Sequence, residues 1–188
     1  PIFYFPKFFH PDPTVKRQSG FLIPKFSETN TFGTALEIPY FITISENKDL
    51  TFTPRLYVDG STVLQSEYRE ERKNSSHILD FSIFTKDSLN IFDNDDQKNH
   101  FFSNSVFNYD FEKFSDSTME INIETVSNPT YLKTYKIESP LINNQTSLNS
   151  FVNLVMNNED TYIKTSFESY EDLSKNKNEK YEFVYPNI

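Results

Sequence analysis

The residues best placed for acid–base chemistry surround one of the three histidines in the sequence. His77 has a carboxylate and two hydroxyls close to it along the chain, in Asp80, Ser75 and Ser76. A serine–histidine–aspartate set could activate a hydroxyl as a nucleophile. These residues, however, fall in a predicted turn that leads into a strand, where solvated polar side chains are common. The sequence therefore predicts no catalytic triad at this position.

A run of aspartates, Asp93, Asp95 and Asp96, could bind a divalent cation, because Ca²⁺ prefers the hard oxygens of carboxylates. The run lacks the central glycine and the final glutamate that an EF-hand loop uses. We interpret it as an acidic surface loop, and a bound cation is the alternative that the sequence leaves open.

Glu67 and Glu71 form an acidic pair of the general kind that glycosidases use. Arg69 lies between them on the same face of the predicted strand, so a hydrated polar wall is the simpler interpretation. The chain has only three glycines, which excludes a glycine-rich phosphate loop and a nucleophile elbow. The sequence therefore predicts a protein that is not an enzyme and that has no cofactor and no catalytic or metal-binding residues.

Composition and charge narrow the class of protein further. The chain has 188 residues and begins at Pro1 without a signal peptide, so we expect a mature product or a piece of a longer protein, with one domain or part of one. Its formal net charge of −9 argues against a nucleic-acid partner. It has no cysteine, and no stretch approaches the ~20 apolar residues of a membrane-spanning helix.

The elements that would hold these residues are β-strands, because apolar residues recur at every second position. Met119, Ile121 and Ile123, for example, alternate with polar residues. Asp59 and Gly60 separate two such runs and predict a tight hairpin. The predicted strands cover residues 21–29, 33–45, 49–58, 61–72, 77–86, 100–112, 118–127, 147–157, 160–170 and 180–185.

Two of the connections between the predicted strands, 87–98 and 127–146, are long. Strands of about ten residues, with short turns at one end and long loops at the other, are typical of outer-membrane barrels. The pattern therefore predicts an all-β fold, an antiparallel up-and-down meander of the outer-membrane β-barrel type. The alternative is a soluble extracellular β-sandwich or an adhesin-like binding module.

Three prolines, Pro24, Pro39 and Pro54, lie inside strand-like runs, where a proline removes a hydrogen-bond donor from the ladder. If the first turn is centred between residues 31 and 32 and the second between 46 and 47, the numbers of two paired residues add up to 63 in the first hairpin and to 93 in the second. Pro24 would then lie opposite Pro39, and Pro39 opposite Pro54, so the three prolines would lie side by side. Each missing bond weakens the ladder by about 1 kcal/mol. Two interpretations stay open: three independent bulges, or a seam in the first hairpin that is built to open.

The N-terminal part of the chain resembles the LptD family of lipopolysaccharide-assembly proteins. The most specific match is the string Lys-Arg-Gln-Ser-Gly-Phe-Leu-Ile-Pro at residues 16–24. The resemblance covers most of the chain and weakens after about residue 140. The other matching stretches, which follow in the family's order, are residues 1–6, 11–13, 39–41, 49–54, 68–69 and 126–132.

The resemblance implies a division of the chain into two parts. Residues 1–19 would form the end of a periplasmic jelly-roll domain and its linker, and residues 20–188 would form the first strands of the transmembrane barrel. Lys16, Arg17 and Gly20 lie at the position of the hinge between these two parts.

The resemblance also implies a function, the transport of lipopolysaccharide through the barrel lumen and its release into the outer leaflet through a lateral gate between the first and the last barrel strand. Pro24 and Pro39 match the prolines that weaken this gate, whereas no gate role follows for Pro54. The implied partners are the plug lipoprotein LptE, LptA and other components of the periplasmic bridge, lipopolysaccharide and membrane lipid. The implied location is the outer membrane of a Gram-negative bacterium.

Overall fold

The computed structural model describes residues 17–29, 32–86, 98–175 and 179–187. Most of these residues lie in β-strands, as the period-two pattern predicts. The strands are Gly20–Phe21 (β1), Lys25–Thr29 (β2), Gly33–Glu37 (β3), Tyr40–Ser45 (β4), Lys48–Tyr57 (β5), Thr62–Arg72 (β6), Ser75–Thr85 (β7), Lys98–Phe111 (β8), Phe114–Val126 (β9), Ser147–Asn157 (β10), Tyr162–Asp172 (β11) and Tyr181–Asn187 (β12), and one short helix, Tyr131–Thr134 (α1), precedes β10.

All twelve strands belong to one antiparallel sheet. We call each crossing of the sheet a strand path, whether it is one strand or two strands separated by a short gap, and each strand path pairs with the next along the chain. β1 and β2 are two halves of the first path, interrupted at residues 22–24, and β3 and β4 are two halves of the second, interrupted at 38–39. The strand bounds agree with the predicted ones to within four residues. The predicted all-β meander is thus confirmed, and the described residues form one open sheet rather than the two layers of a sandwich.

The two faces of the sheet differ in polarity because apolar and polar residues alternate along each strand. On one face, which we call the apolar face, Phe81 pairs with Phe101, and Phe167 lies opposite Val152. Many of its large side chains are exposed; Phe26, for example, keeps 79% of its surface accessible. The opposite face, the polar face, presents charged and hydrogen-bonding side chains, which include Glu37, Arg55, Gln65, Asp80, His100 and Glu124.

The connections at one end of the sheet are tight turns, at residues 46–47, 73–74, 112–113 and 158–161. The connection at 127–146 lies at the other end, as predicted, whereas the long connection predicted at 87–98 falls largely outside the described residues. The predicted hairpin at Asp59 and Gly60 is also at that end, where Gly60 has a φ of 89° in the left-handed region that favours glycine. Among the described residues, no helix has the length and apolar character needed to cross a membrane.

Residues 127–146 are not a surface loop: they fold back over the polar face, and we call them the 127–146 segment. Tyr131, Leu132, Tyr135 and Ile137 of this segment are at most 1% exposed. They form a core with side chains from the adjacent ends of the strands, namely Ala35, Tyr57, Val63, Phe84, Phe102, Val126, Leu148 and Leu173. The sequence predicted only a long connection here, because the partners of these residues lie far away along the chain.

Candidate functional site

The first two strand paths are interrupted next to the two prolines singled out from the sequence. Pro24 lies in the gap between β1 and β2, and Pro39 lies in the gap between β3 and β4. A proline has no N–H to donate, so neither residue can donate a bond to the ladder. Backbone hydrogen bonds from residues within the gaps still connect neighbouring strand paths. Leu22 N donates to the Pro39 carbonyl at 2.8 Å, and Ile38 N donates to the Pro54 carbonyl at 3.1 Å.

The register changes by one residue across these gaps. β2 pairs with β3 so that Lys25 lies opposite Glu37, a sum of 62, whereas β1 pairs with β4 so that Phe21 lies opposite Tyr40, a sum of 61. The predicted sum of 63 was therefore wrong by one to two residues. The three prolines still lie in adjacent positions across the sheet, because Ile38, next to Pro39, is the residue that bonds to Pro54.

The ladder at this seam is short. Two residue pairs join β1 to β4 and five join β2 to β3, whereas eleven pairs join β6 to β7 without a break. Fewer ladder bonds over the same strand length mean a lower free energy of local opening. The seam between the first two strand paths is therefore weaker than the seam between β6 and β7.

The linker that leads into β1 is fixed to the sheet through a buried carboxylate. An oxygen of Asp49, whose side chain is only 4% exposed, accepts a bond from Arg17 at 2.7 Å, and the other oxygen accepts a bond from Arg69 at 2.9 Å. Thr43 N donates to Ser19 Oγ at 2.8 Å. Of the predicted hinge residues, Gly20 opens β1 opposite Phe41, and Lys16 lies outside the described residues.

A second polar cluster lies beneath the 127–146 segment, on the polar face. Arg55 forms an ion pair with Glu37 at 2.9 Å and donates through Nη1 to the backbone carbonyl of Tyr135. Gln65 Nε2 donates to Asp80 Oδ1 at 3.1 Å and to the carbonyl of Glu138 at 2.8 Å. These bonds join the segment to β5 and β6. They also form one wall of a cavity of about 490 Å³ beside the proline seam.

The structure also brings together residues that sequence reasoning did not connect. Ser82 Oγ lies 2.6 Å from both His100 Nδ1 and the hydroxyl of Tyr131, and His100 Nε2 lies 3.4 Å from Asp80 Oδ1. The period-two pattern does place Asp80 and Ser82 on one face, but Tyr131 is 49 residues away from Ser82. Burial raises the pKa of the Tyr131 phenol, which keeps its hydroxyl protonated.

This arrangement resembles a catalytic triad in composition but not in accessibility. Asp80 and Ser82 are fully buried and His100 is 1% exposed, so no substrate reaches the serine hydroxyl. His77, the histidine that the sequence suggested, lies on the other face of β7, and its ring contacts the hydroxyls of Ser105 and Ser75 at 3.0 and 3.2 Å. The cluster is suited to holding the 127–146 segment on the sheet.

The other acidic residues considered from the sequence, where the structure describes them, do not form a catalytic arrangement. Arg69 Nε lies 3.4 Å from Glu67 Oε1 on the polar face, as expected for a polar wall, and Glu71 bonds through its backbone to Asn47. In the described parts of the chain, no three histidine, aspartate or glutamate side chains are grouped closely enough to hold a metal ion. Asp93, Asp95 and Asp96 lie outside the described residues.

Comparison with known proteins gives a consistent family. A family model with the description "LptD protein" matches residues 1–188, the whole chain. The LPS-assembly protein LptD of Pseudoalteromonas atlantica is 33% identical over 88 residues, which are 47% of this chain and 12% of that protein. The protein of the same name from Pseudomonas aeruginosa (strain UCBPP-PA14) is 37% identical over 79 residues, 42% of this chain and 8% of that protein.

A longer match joins this chain to the LPS-assembly protein LptD of Acinetobacter baylyi, which is 25% identical over 157 residues. That match covers 74% of this chain and 19% of the relative, so the chain spans less than a fifth of the relatives it matches. The family model, in contrast, accounts for every residue from Pro1 to Ile188. The chain belongs to the LptD family.

Proposed function

We propose that this chain is the N-terminal part of the β-barrel of a lipopolysaccharide-assembly protein in the outer membrane. In this proposal residues 1–19 join the barrel to a periplasmic jelly-roll domain, and residues 20–188 supply the first barrel strands. The observation that carries the proposal is a single open meander whose apolar face is exposed and whose polar face carries its own 127–146 segment near one end of the strands.

The apolar face is suited to contact with lipid. Phe26, Phe167 and Phe183 expose between 53% and 79% of their surfaces, and an aromatic stack of Phe107, Tyr109 and Phe111 lies next to the tight turn at 112–113. Aromatic side chains near strand ends are typical of the interfaces between hydrocarbon and water in outer-membrane barrels. The same apolar area facing water would favour aggregation.

The polar face would line the lumen and pass the glycan part of lipopolysaccharide. Its hydrogen-bonding groups, such as Asn104 bonded to Glu120 at 2.8 Å and Asn122 bonded to Glu124 at 2.9 Å, form a hydrophilic wall. The lateral gate would lie between the first and the last barrel strand, and the interruptions at Pro24 and Pro39, which shorten the ladder between the first two strand paths, would weaken it. LptE as the plug, LptA as part of the periplasmic bridge, and membrane lipid around the barrel are the partners that this function requires.

The gate role of the prolines is tested in the full-length protein by the double substitution P24T/P39T. Threonine restores both N–H donors and suits a strand, so we expect a tighter seam and slower delivery of lipopolysaccharide to the cell surface. The matched control is P54T, because Pro54 lies in uninterrupted β5. Delivery that is unchanged in the double variant, measured by surface labelling of lipopolysaccharide, would refute the gate role.

A further inference from the structure

The tip of the first hairpin is attached to the 127–146 segment by aromatic contacts. Phe32, at the turn that leads into β3, stacks on Tyr135 with ring centroids 5.1 Å apart and planes at 13°. The same ring also contacts Tyr57 at 5.5 Å and Phe84 at 5.4 Å. The hairpin tip is therefore packed into the core that the segment forms on the polar face.

Arg55 adds a polar connection at the same place. Its guanidinium forms an ion pair with Glu37, the last residue of β3, and its Nη1 donates to the backbone carbonyl of Tyr135. The Arg55 and Glu37 side chains are 7% and 13% exposed, so solvent screens this pair weakly. The Arg55 side chain thus joins Glu37 of the second strand path to Tyr135 of the 127–146 segment, next to the gap that contains Pro39.

The segment is held on its far side by different strands. The hydroxyl of Tyr131 contacts Ser82 of β7 at 2.6 Å, and Gln65 of β6 donates to the carbonyl of Glu138 at 2.8 Å. Lys136 has a φ of 48°, and this left-handed turn lets Ile137 N bond back to the Leu132 carbonyl at 2.9 Å. The segment is therefore anchored on the uninterrupted part of the sheet, and Tyr135 is the residue of the segment whose ring stacks on the first hairpin.

We propose that the 127–146 segment is a clamp that holds the tip of the first hairpin on the sheet, with Tyr135 as the residue that positions Phe32 and Arg55. Movement of the hairpin tip away from the core requires the Phe32 ring to leave Tyr135, and movement of Glu37 requires its carboxylate to leave Arg55. The strength of these contacts then sets how often the upper half of the first hairpin, β2 and β3, detaches from the core. The clamp deepens the proposed function, because it acts on the hairpin that would form one side of the lateral gate.

The test is hydrogen–deuterium exchange on the full-length protein in detergent micelles, with the variant Y135A. Loss of the aromatic stack should raise the exchange rate of peptides that cover β2 and β3 by about tenfold and leave peptides from β8 and β9 unchanged. The matched control is Y109A, because Tyr109 also stacks on a phenylalanine, Phe111, at 5.7 Å but lies on the apolar face far from the hairpin tip. Unchanged exchange in β2 and β3 would overturn the clamp.

A second variant, R55K, covers the case in which Y135A raises exchange throughout the sheet because it fails to fold. Lysine keeps the charge opposite Glu37 but has no planar fork to reach Tyr135 at the same time, so faster exchange confined to β2 and β3 supports the clamp. Exchange that does not change in R55K overturns it. The readout is independent of transport: faster exchange with normal lipopolysaccharide delivery supports the clamp and rejects the gate role.

Discussion

At the scale of single residues, Asp49 is the position where one side chain determines the path of the chain. Its buried carboxylate accepts bonds from two arginines, Arg17 in the linker and Arg69 in β6. A buried carboxylate is stable only where its oxygens are paired, so the two guanidiniums and the carboxylate depend on one another. The linker is thereby fixed to the sheet before β1 begins.

We expect D49N to release the linker. The asparagine amide is neutral and forms an ion pair with neither arginine. The loss of these two ion pairs should lower the free energy of unfolding by about 1–3 kcal/mol. The linker at residues 17–19 should also become more sensitive to limited proteolysis. The control is E46Q in the neighbouring turn, and proteolysis of D49N at the wild-type rate would contradict the anchoring role.

The contribution of Asp59, in the turn between β5 and β6, to the free energy of unfolding should depend on pH. Ser61 donates to its carboxylate from Oγ at 2.7 Å and from the backbone N–H at 3.0 Å, and these bonds lower the pKa of Asp59 below its ordinary value. The stabilisation is therefore present above the pKa of the unfolded chain and is lost as the pH falls through the lower folded pKa. The variant S61A should raise the pKa of Asp59, measured by carboxyl carbon-13 titration, whereas S115A at the start of β9 should not.

At the scale of elements, the strands could be predicted from the sequence and the 127–146 segment could not. The alternation of Met119, Ile121 and Ile123 with polar residues depends only on neighbours, and β9 forms where that pattern lies. The segment depends instead on contacts such as that of Tyr131 with Ser82, which the linear pattern does not encode. The one-residue shift of register at the proline gaps was missed for the same reason, since turn centres alone do not reveal it.

The anchoring of α1 is tested by Y131F. Removing the hydroxyl leaves the buried Ser82 with a single partner, His100, which should destabilise the protein by about 1–3 kcal/mol. The control is Y162F, because Tyr162 is 65% exposed and its hydroxyl is not part of this cluster. Thermal unfolding in detergent measures both, and equal melting temperatures would show that the hydroxyl does not hold the segment.

At the scale of the whole molecule, the polarity of the two faces leads to a prediction about lipid. Phe81 lies near the middle of β7 on the apolar face, and we expect F81R to destabilise folding into lipid vesicles by about 2–4 kcal/mol, because it places a charge near the bilayer centre. The matched substitution N104R on the polar face should cost much less, since Glu120 lies close by. Equal effects of the two substitutions, measured by reversible urea titration, would contradict a lipid-facing wall.

The division of the first hairpin into two halves has a mechanical consequence. The lower half, β1 and β4, is tied to the linker, because Thr43 N bonds to Ser19 Oγ and the Arg17 guanidinium lies over the Phe41 ring, and the upper half, β2 and β3, is tied through Phe32 to Tyr135. Because the ladder is interrupted between them, a displacement that enters through the linker acts on the lower half first and reaches the upper half through β5 and the bonds around Pro39. The first hairpin would therefore separate from the sheet in two stages: the contacts with the linker would control the lower half, and the contact of Phe32 with Tyr135 would control the upper half.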